Sequence, residues 1–169
     1  MHRIARHAAI LLLLVMPMTA RAADRPAGEA AAVCATVEAF FDAMSAHDAE
    51  AMAALLVAGG VAAAVRASGG TGEEAGGGLR LIPLAELPRI FAGNRNAIRE
   101  RIWDAEIRVD DSIATLWAPY DFHLDGAFDH CGFDAFQLLK RDGRWRIVSI
   151  VWTSREQDCP PGATQLPDQ

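Results

Sequence analysis

Between Glu29 and Met44 the apolar residues Val33, Val37, Phe40, Phe41 and Met44 recur at spacings of four, three, one and three. That spacing predicts one apolar stripe along a helix from Glu29 onward. Asp48 stands where a cap is needed, and AEAMAALL after it reads as a short second helix. VAAAVRA, which follows Gly59-Gly60, reads as a strand bounded by glycines. The stretch from Ser68 to Gly78 is a glycine-rich loop without the GK[ST] or GxGxxG spacing that cradles phosphate. LRLI then gives a short strand. PLAELPRIFAG gives a short helix with Pro83 near its start, Gly93 near its end and Pro88 in the first turn, where no backbone donor is lost.

The last third changes period. Ile102 to Val109 alternates loosely, and Ile113–Leu124, Phe128–Leu139 and Trp145–Trp152 are three longer strands. Asp125-Gly126 and Asp142-Gly143 are two-residue hairpin turns, since an Asp-Gly pair suits the positive φ angles of a type I′ turn. Sequential hairpins make a mostly antiparallel meander. The early helices must cover one face of it, which gives an α+β two-layer domain.

Counting outward from the first turn sets Asp121 opposite His130, Pro119 opposite Gly132, Trp117 opposite Asp134 and Thr115 opposite Phe136. The second turn adds Ser149 and Val151 to the same side. On this register Trp117, Asp121, His130, Asp134, Phe136, Ser149 and Val151 share one face. Tyr120, Cys131, Phe133, Ile150 and Trp152 share the other. Both faces are largely apolar, so each needs a cover; Trp152, Phe133 and Tyr120 are the candidates for a dimer contact. Pro119 cannot donate to a ladder, so a bulge is expected beside it.

The same register brings chemistry together. A carboxylate at Asp121 opposite the His130 imidazole would fix its tautomer and raise its basicity. Asp134 would be a second acid, and Tyr120 and His123 lie toward the mouth of the same strand. No GxSxG elbow and no zinc spacing occurs, so neither a metal nor a cofactor is expected.

Composition adds a compartment. Arg3 and Arg6, an apolar run of about eleven residues and the small residues Ala20 and Ala22 make residues 1–22 a secretory signal peptide. The run is shorter than the roughly 20 residues of a membrane span. Cleavage there would leave the formal balance at 13 basic against 22 acidic residues, since Arg3, Arg6 and Arg21 leave with the leader, so nucleic acid is not an expected partner. The expected location is periplasmic or secreted, with no membrane contact once the leader is gone. Of Cys34, Cys131 and Cys159, the pairing expected in an oxidising compartment is Cys131–Cys159, because the segment after the last strand can fold back beside Cys131. Residues 23–155 form the domain, and 156–169 an irregular, proline-containing tail.

Three stretches carry a resemblance. VEAFFDAMSAHDAEAMAALL resembles the paired opening helices of the nuclear transport factor 2-like superfamily, and DAFQLLKRDGRWRIVSIVW its last hairpin. RIWDAEIRVDDSIATLWAPYDFHLDGAFDHCGFDAFQLL is similar to a bacterial, SnoaL-like branch labelled lumazine-binding. The resemblance implies a curved, mostly antiparallel sheet wrapped around the N-terminal helices, a cone with a central pocket. Some members of the superfamily are isomerases, epoxide hydrolases or cyclases that move protons with acidic, Tyr or Asp–His groups in the cone; others bind ligands or assemble. The lumazine label implies a flat heteroaromatic ligand, with Trp117 and Phe136 stacking on it and Asp134 or His130 bonding its edge.

Together these features predict an exported protein that binds a small, mostly apolar or aromatic ligand without catalysis, its expected partners being that ligand and a second copy of the chain. One alternative is a proton-transfer enzyme in which Asp121 orients His130 and Asp134 stabilises or donates. The other is a dimeric interaction module.

Overall fold

The computed structural model describes residues 28–66 and 78–163. The leader and most of the glycine-rich loop lie outside the described residues. The elements run α1 (Glu29–Ser45), α2 (Ala49–Leu55), β1 (Leu56–Arg66), β2 (Leu79–Pro83), a 3₁₀ turn at Leu84–Glu86, α3 (Leu87–Ala92), β3 (Ile98–Ile102), β4 (Glu106–Asp110), β5 (Ile113–Leu124), β6 (Ala127–Arg141) and β7 (Arg144–Ser154).

The helices form where the apolar stripe and the cap require them. Val33, Val37, Phe40, Phe41 and Met44 are the buried side of α1. The Asp48 carboxylate accepts from the amides of Glu50 and Ala51 at the start of α2, two donors that a helix N-terminus otherwise leaves free. Pro88 occupies the first turn of α3. The strands form one sheet in the order β2-β1-β7-β6-β5-β3, with β4 pairing the other end of the β5 edge. Every pairing is antiparallel except β1 with β7. The α1 helix packs into the concave side, where the rings of Phe40 and Phe41 meet Phe136 edge-on at 6.2 and 5.8 Å. Such pairs add about 0.5–1.5 kcal/mol beyond the area they bury.

The expected strand from Ile102 to Val109 is two strands, interrupted at Trp103–Ala105, with Asp104 at φ 46°. The interruption lies opposite Pro119. The Trp103 amide donates to the Pro119 carbonyl at 3.3 Å, so the donor that proline lacks would point at the break in the edge strand. Pro119 therefore needs no bulge, and the β5–β6 register runs unbroken past it, from Ile113 to Phe122.

The bulges fall elsewhere, and they change the faces. Both Asp-Gly turns form as expected, with positive φ at Asp125, Gly126, Asp142 and Gly143. The ladder then slips between Phe122 and His123, because His123 pairs with Phe128 while Phe122 pairs with His130. Asp129 is the extra residue. The second hairpin slips at Val148, so that Leu138 pairs with Ile147 but Gln137 pairs with Ser149. Each slip reverses one neighbour of β6 relative to the simple count. Asp121 is thus opposite Cys131, not His130; Trp117 is opposite Ala135; Phe136 meets Leu116 and Ile150. His130, Asp134 and Phe136 point into the cone as expected. Tyr120 and Trp152 join them there, and are not on the outer face. Trp117, Asp121, His123, Ser149 and Val151 are on the outer face.

A covalent clamp closes the outer side. Cys131 and Cys159 form the expected disulfide, with their Cα atoms 5.7 Å apart. Arg155 extends the pairing by bonding Cys131 through both backbone groups. The Trp103 indole donates to the Pro161 carbonyl at 2.9 Å, which pins the tail across the break in the edge strand.

Candidate functional site

The site is built by the alternation of β3, β5 and β6 on the concave side and by the aromatic face of α1. Their inward residues and those of α3 and β7 enclose a cavity of about 150 Å³. Phe40, Phe41 and Met44 of α1 and Leu87 and Phe91 of α3 form one wall; Phe122, Phe136, Ile150 and Trp152 form the sheet wall. Four polar side chains interrupt this lining: Glu100, Tyr120, His130 and Asp134.

Glu100 and Asp134 are hydrogen-bonded to each other. Asp134 is buried, and its Oδ2 has no hydrogen-bond partner. Burial raises the pKa of both carboxyls, and for Glu100 the negative charge of Asp134 raises it further. Two acids in one apolar site titrate together, and this pair keeps a shared proton at pH values where free carboxyls have lost theirs. Tyr120 donates its hydroxyl to the Thr153 carbonyl at 2.8 Å. Burial, and then the charge of Asp134, push its pKa well above the ordinary phenol value, so it stays a neutral donor. The Thr153 carbonyl also explains Gly132: a Cβ there would lie 1.9 Å from that oxygen, so no other residue lets β7 pass this close. The His130 ring stacks on Phe122 with centroids 4.8 Å apart, and its Nδ1 is bonded to Asp129 at 2.6 Å.

The expected Asp121–His130 dyad does not form. Asp121 is directly across from Arg101 on the outer face, and the guanidinium Nε donates to its Oδ1 at 2.8 Å while Nη2 bonds Oδ2. His123 is buried beside it, with Nε2 3.3 Å from the same carboxylate. Trp117 is half-exposed and stacks on Phe133 at 5.3 Å, outside the cone. Ser149 and Val151 lie on the same outer surface, displaced from the cavity by the Val148 bulge. Of the residues expected to contact a ligand, Phe136 and Tyr120 line the cavity, together with His130 and Asp134. Sequence reasoning missed Glu100. Its signal was the alternation in IRERI, which turns Ile98, Glu100 and Ile102 one way and the two arginines the other once β3 is known to pair with β5. Among the described residues no group of three His, Cys, Asp or Glu side chains is arranged to hold a metal ion.

Comparison with known proteins fits this architecture. No curated protein matches the chain. Among solved structures, a putative calcium/calmodulin dependent protein kinase II association domain from Xanthomonas campestris is 23% identical, covers 85% of this chain and 99% of its own, and superposes with a TM-score of 0.60. A protein of unknown function from Mycobacterium tuberculosis is 17% identical over 75% of this chain and 72% of its own, with a TM-score of 0.58. A putative dehydratase of the NTF2-like family from Streptomyces avermitilis is 16% identical over 75% of this chain and 96% of its own, with a TM-score of 0.57. At these identities the likeness carries the fold alone. Residues 28–153 match the sequence family described as "Putative lumazine-binding". That span takes in every helix among the described residues and nearly all of the sheet, and the chain belongs to this family, with the fold that the NTF2-like structures share.

Proposed function

We propose that this is an exported domain that binds one small, mostly apolar or aromatic molecule in its cone, without turning it over, and works as a homodimer. The observation that carries the reading is the aromatic-walled cavity. An apolar space of about 150 Å³ holds a ligand of benzene size, and this one adds a few polar groups able to fix orientation. The description of the family supports a flat heteroaromatic ring as the occupant. The disulfide favours an oxidising compartment, and with it export. No helix among the described residues is long and apolar enough to cross a membrane. The outer face supports the second copy: Leu81, Ala63, Val151, Ala135 and Trp117 form one cross-sheet row, and Leu81, Val151 and Trp117 are exposed.

The test is melting of the purified protein against a library of single-ring compounds, with Ile150→Phe as a variant whose added bulk fills the cavity. Binders should raise the melting temperature of the wild type and lose that effect in Ile150→Phe. If no compound shifts the wild type, or shifts survive in the filled variant, the cone is not the site. Sedimentation should show a dimer that Leu81→Glu converts to monomer.

A second reading has its own observation. The Glu100–Asp134 pair holds a proton against an apolar hollow, the arrangement a general acid needs. A proton-transfer enzyme would then use Asp134 and Glu100, with the Tyr120 hydroxyl, whose proton is given to the Thr153 carbonyl, as a fixed part of the wall. Incorporation of deuterium from solvent into a bound compound, present with wild type and absent with Asp134→Asn, would establish it in place of simple binding.

A further inference from the structure

The cone has an unusual balance of charge. Its polar lining contains two carboxyls, a phenol and an imidazole, but no lysine or arginine. Arg99 and Arg101, which flank Glu100 in β3, alternate to the other side, and Arg101 is paired with Asp121 on the outer face. From α1 and α3 only Phe40, Phe41, Met44, Leu87 and Phe91 face the cavity, and none of them titrates. The charged and titratable groups around the pair are therefore Tyr120 of β5 and His130 of β6 in the cavity, Asp121 behind β5, and Asp129 and Arg155 beyond Tyr120. His130 is already engaged by Asp129 at its Nδ1. Asp134 Oδ2 meanwhile is buried and unpartnered. A buried acceptor left open beside a cavity costs free energy unless something fills the cavity and donates to it.

We propose that the occupant of the cone is a planar organic cation of about one aromatic ring, bearing an N–H group that donates to Asp134. The inference rests on the small-molecule reading above and names the class of ligand. The aromatic walls suit such a cation twice over. They bury its ring, and their π faces attract its positive charge. The carboxyl supplies the directional, charge-assisted bond that a neutral ring would not use. Anionic rings are excluded by the same pair, because they would add a negative charge to a site that already has too many acids.

The proton balance follows. Where Asp134 is still protonated, a cation that needs its carboxylate must expel that proton to solvent. Cation binding therefore strengthens as pH rises through the titration of the pair, while binding of a neutral ring does not depend on it.

Benzamidine, benzamide and benzoate test this directly, since they are nearly isosteric and carry charges of about +1, 0 and −1 at neutral pH. Toluene serves as an uncharged ring without donors. Affinities are read by calorimetry at pH 5.5 and 7.5 on wild type, Asp134→Asn and Glu100→Gln, with circular dichroism confirming that each variant folds. The expected result is benzamidine at least roughly tenfold tighter than benzamide, benzoate weakest, and benzamidine alone gaining affinity at the higher pH. Asp134→Asn should abolish the advantage of benzamidine over benzamide and over toluene. Glu100→Gln should keep the preference, because Asp134 Oδ2 remains. If benzamide or toluene equals or exceeds benzamidine, the cation assignment is overturned and the small-molecule reading stands. If none of the four binds the wild type, both fall.

Discussion

Two acids of one β-hairpin, Asp121 and Asp134, are both almost wholly buried, at 0% and 2% exposure, yet they sit in opposite circumstances. Asp121 faces outward, where the Arg101 guanidinium grips it with two bonds and His123 lies alongside. A tail fastened by the disulfide runs close by, because Cys131 is the cross-strand partner of Asp121. Asp134 faces inward, where its neighbour is another acid and one of its oxygens has no partner. The first is a finished structural ion pair. The second is an unfinished site. The difference teaches that burial alone does not mark a functional acid; the mark is burial without a cation.

The comparison breaks most visibly if the outer face is opened. The disulfide joins residues 28 positions apart. Closing a loop of that size restricts the unfolded chain by about 3.5 kcal/mol. Cys159→Ser should therefore lower unfolding free energy by roughly that amount in urea titration. The cavity, which no described residue of the tail lines, should still take its ligand in the same variant. A loss of ligand binding without a loss of fold would join the two faces and sink the contrast.

Next in size is the ion pair itself. Asp121→Ala takes its carboxylate from the partly exposed Arg101 guanidinium and from the buried His123 beside it, which should cost about 2 kcal/mol. The equivalent change inside, Asp134→Asn, removes a carboxyl that has no cation to lose. At neutral pH it should be close to neutral or stabilising. Denaturation of the two variants side by side measures the contrast, and equal losses would show that the inner acid is as structural as the outer one.

The pair of inner acids also sets a slope with pH. In the folded chain both carboxyls hold protons to higher pH than they do unfolded, where they titrate near about 4. Between those limits the folded state binds more protons, so stability falls as pH rises from about 4 toward neutrality and beyond. One proton contributes at most about 1.4 kcal/mol per pH unit. Asp134→Asn or Glu100→Gln should flatten that fall in unfolding measured between pH 4 and 8. An unchanged slope would mean that the pair does not share a buried proton.

Much of this molecule was legible in the chain. The α1 stripe, the Asp48 cap, Pro88 in the first turn of α3 and both Asp-Gly turns are local features, each with its own local signal, and all of them formed. The disulfide was legible from the position of Cys131 and the length of tail after β7. What failed was the register between turn and pocket. A hairpin turn fixes the first pair only, and an extra residue at Asp129 or Val148 reverses every face beyond it. Neither residue announces a bulge. Pro119 did announce an irregularity, but that was resolved by interrupting the neighbouring strand at Trp103–Ala105 rather than by a slip. Asp134, His130 and Phe136 were placed inside together because all three are on β6 beyond Asp129, and no extra residue interrupts that strand between His130 and Phe136. Glu100 was invisible because its partner strand was unknown until β3 was seen against β5.

The smallest effect is at the pin that holds the tail. Trp103 donates its indole N–H to the Pro161 carbonyl, and Gly162 packs against the same ring. Trp103→Phe keeps a ring and deletes the donor, so one partly exposed hydrogen bond is lost, worth about 1 kcal/mol. If the disulfide is what holds the outer cover, this variant should lower the melting temperature slightly while Asp121 stays paired, which hydrogen exchange at the Arg101 amide reports as unchanged protection. A loss of protection as large as in Cys159→Ser would mean that the cover depends on the indole bond. The outer face would then be held by a contact as weak as a single surface hydrogen bond, and its standing as the closed half of the molecule would go with it.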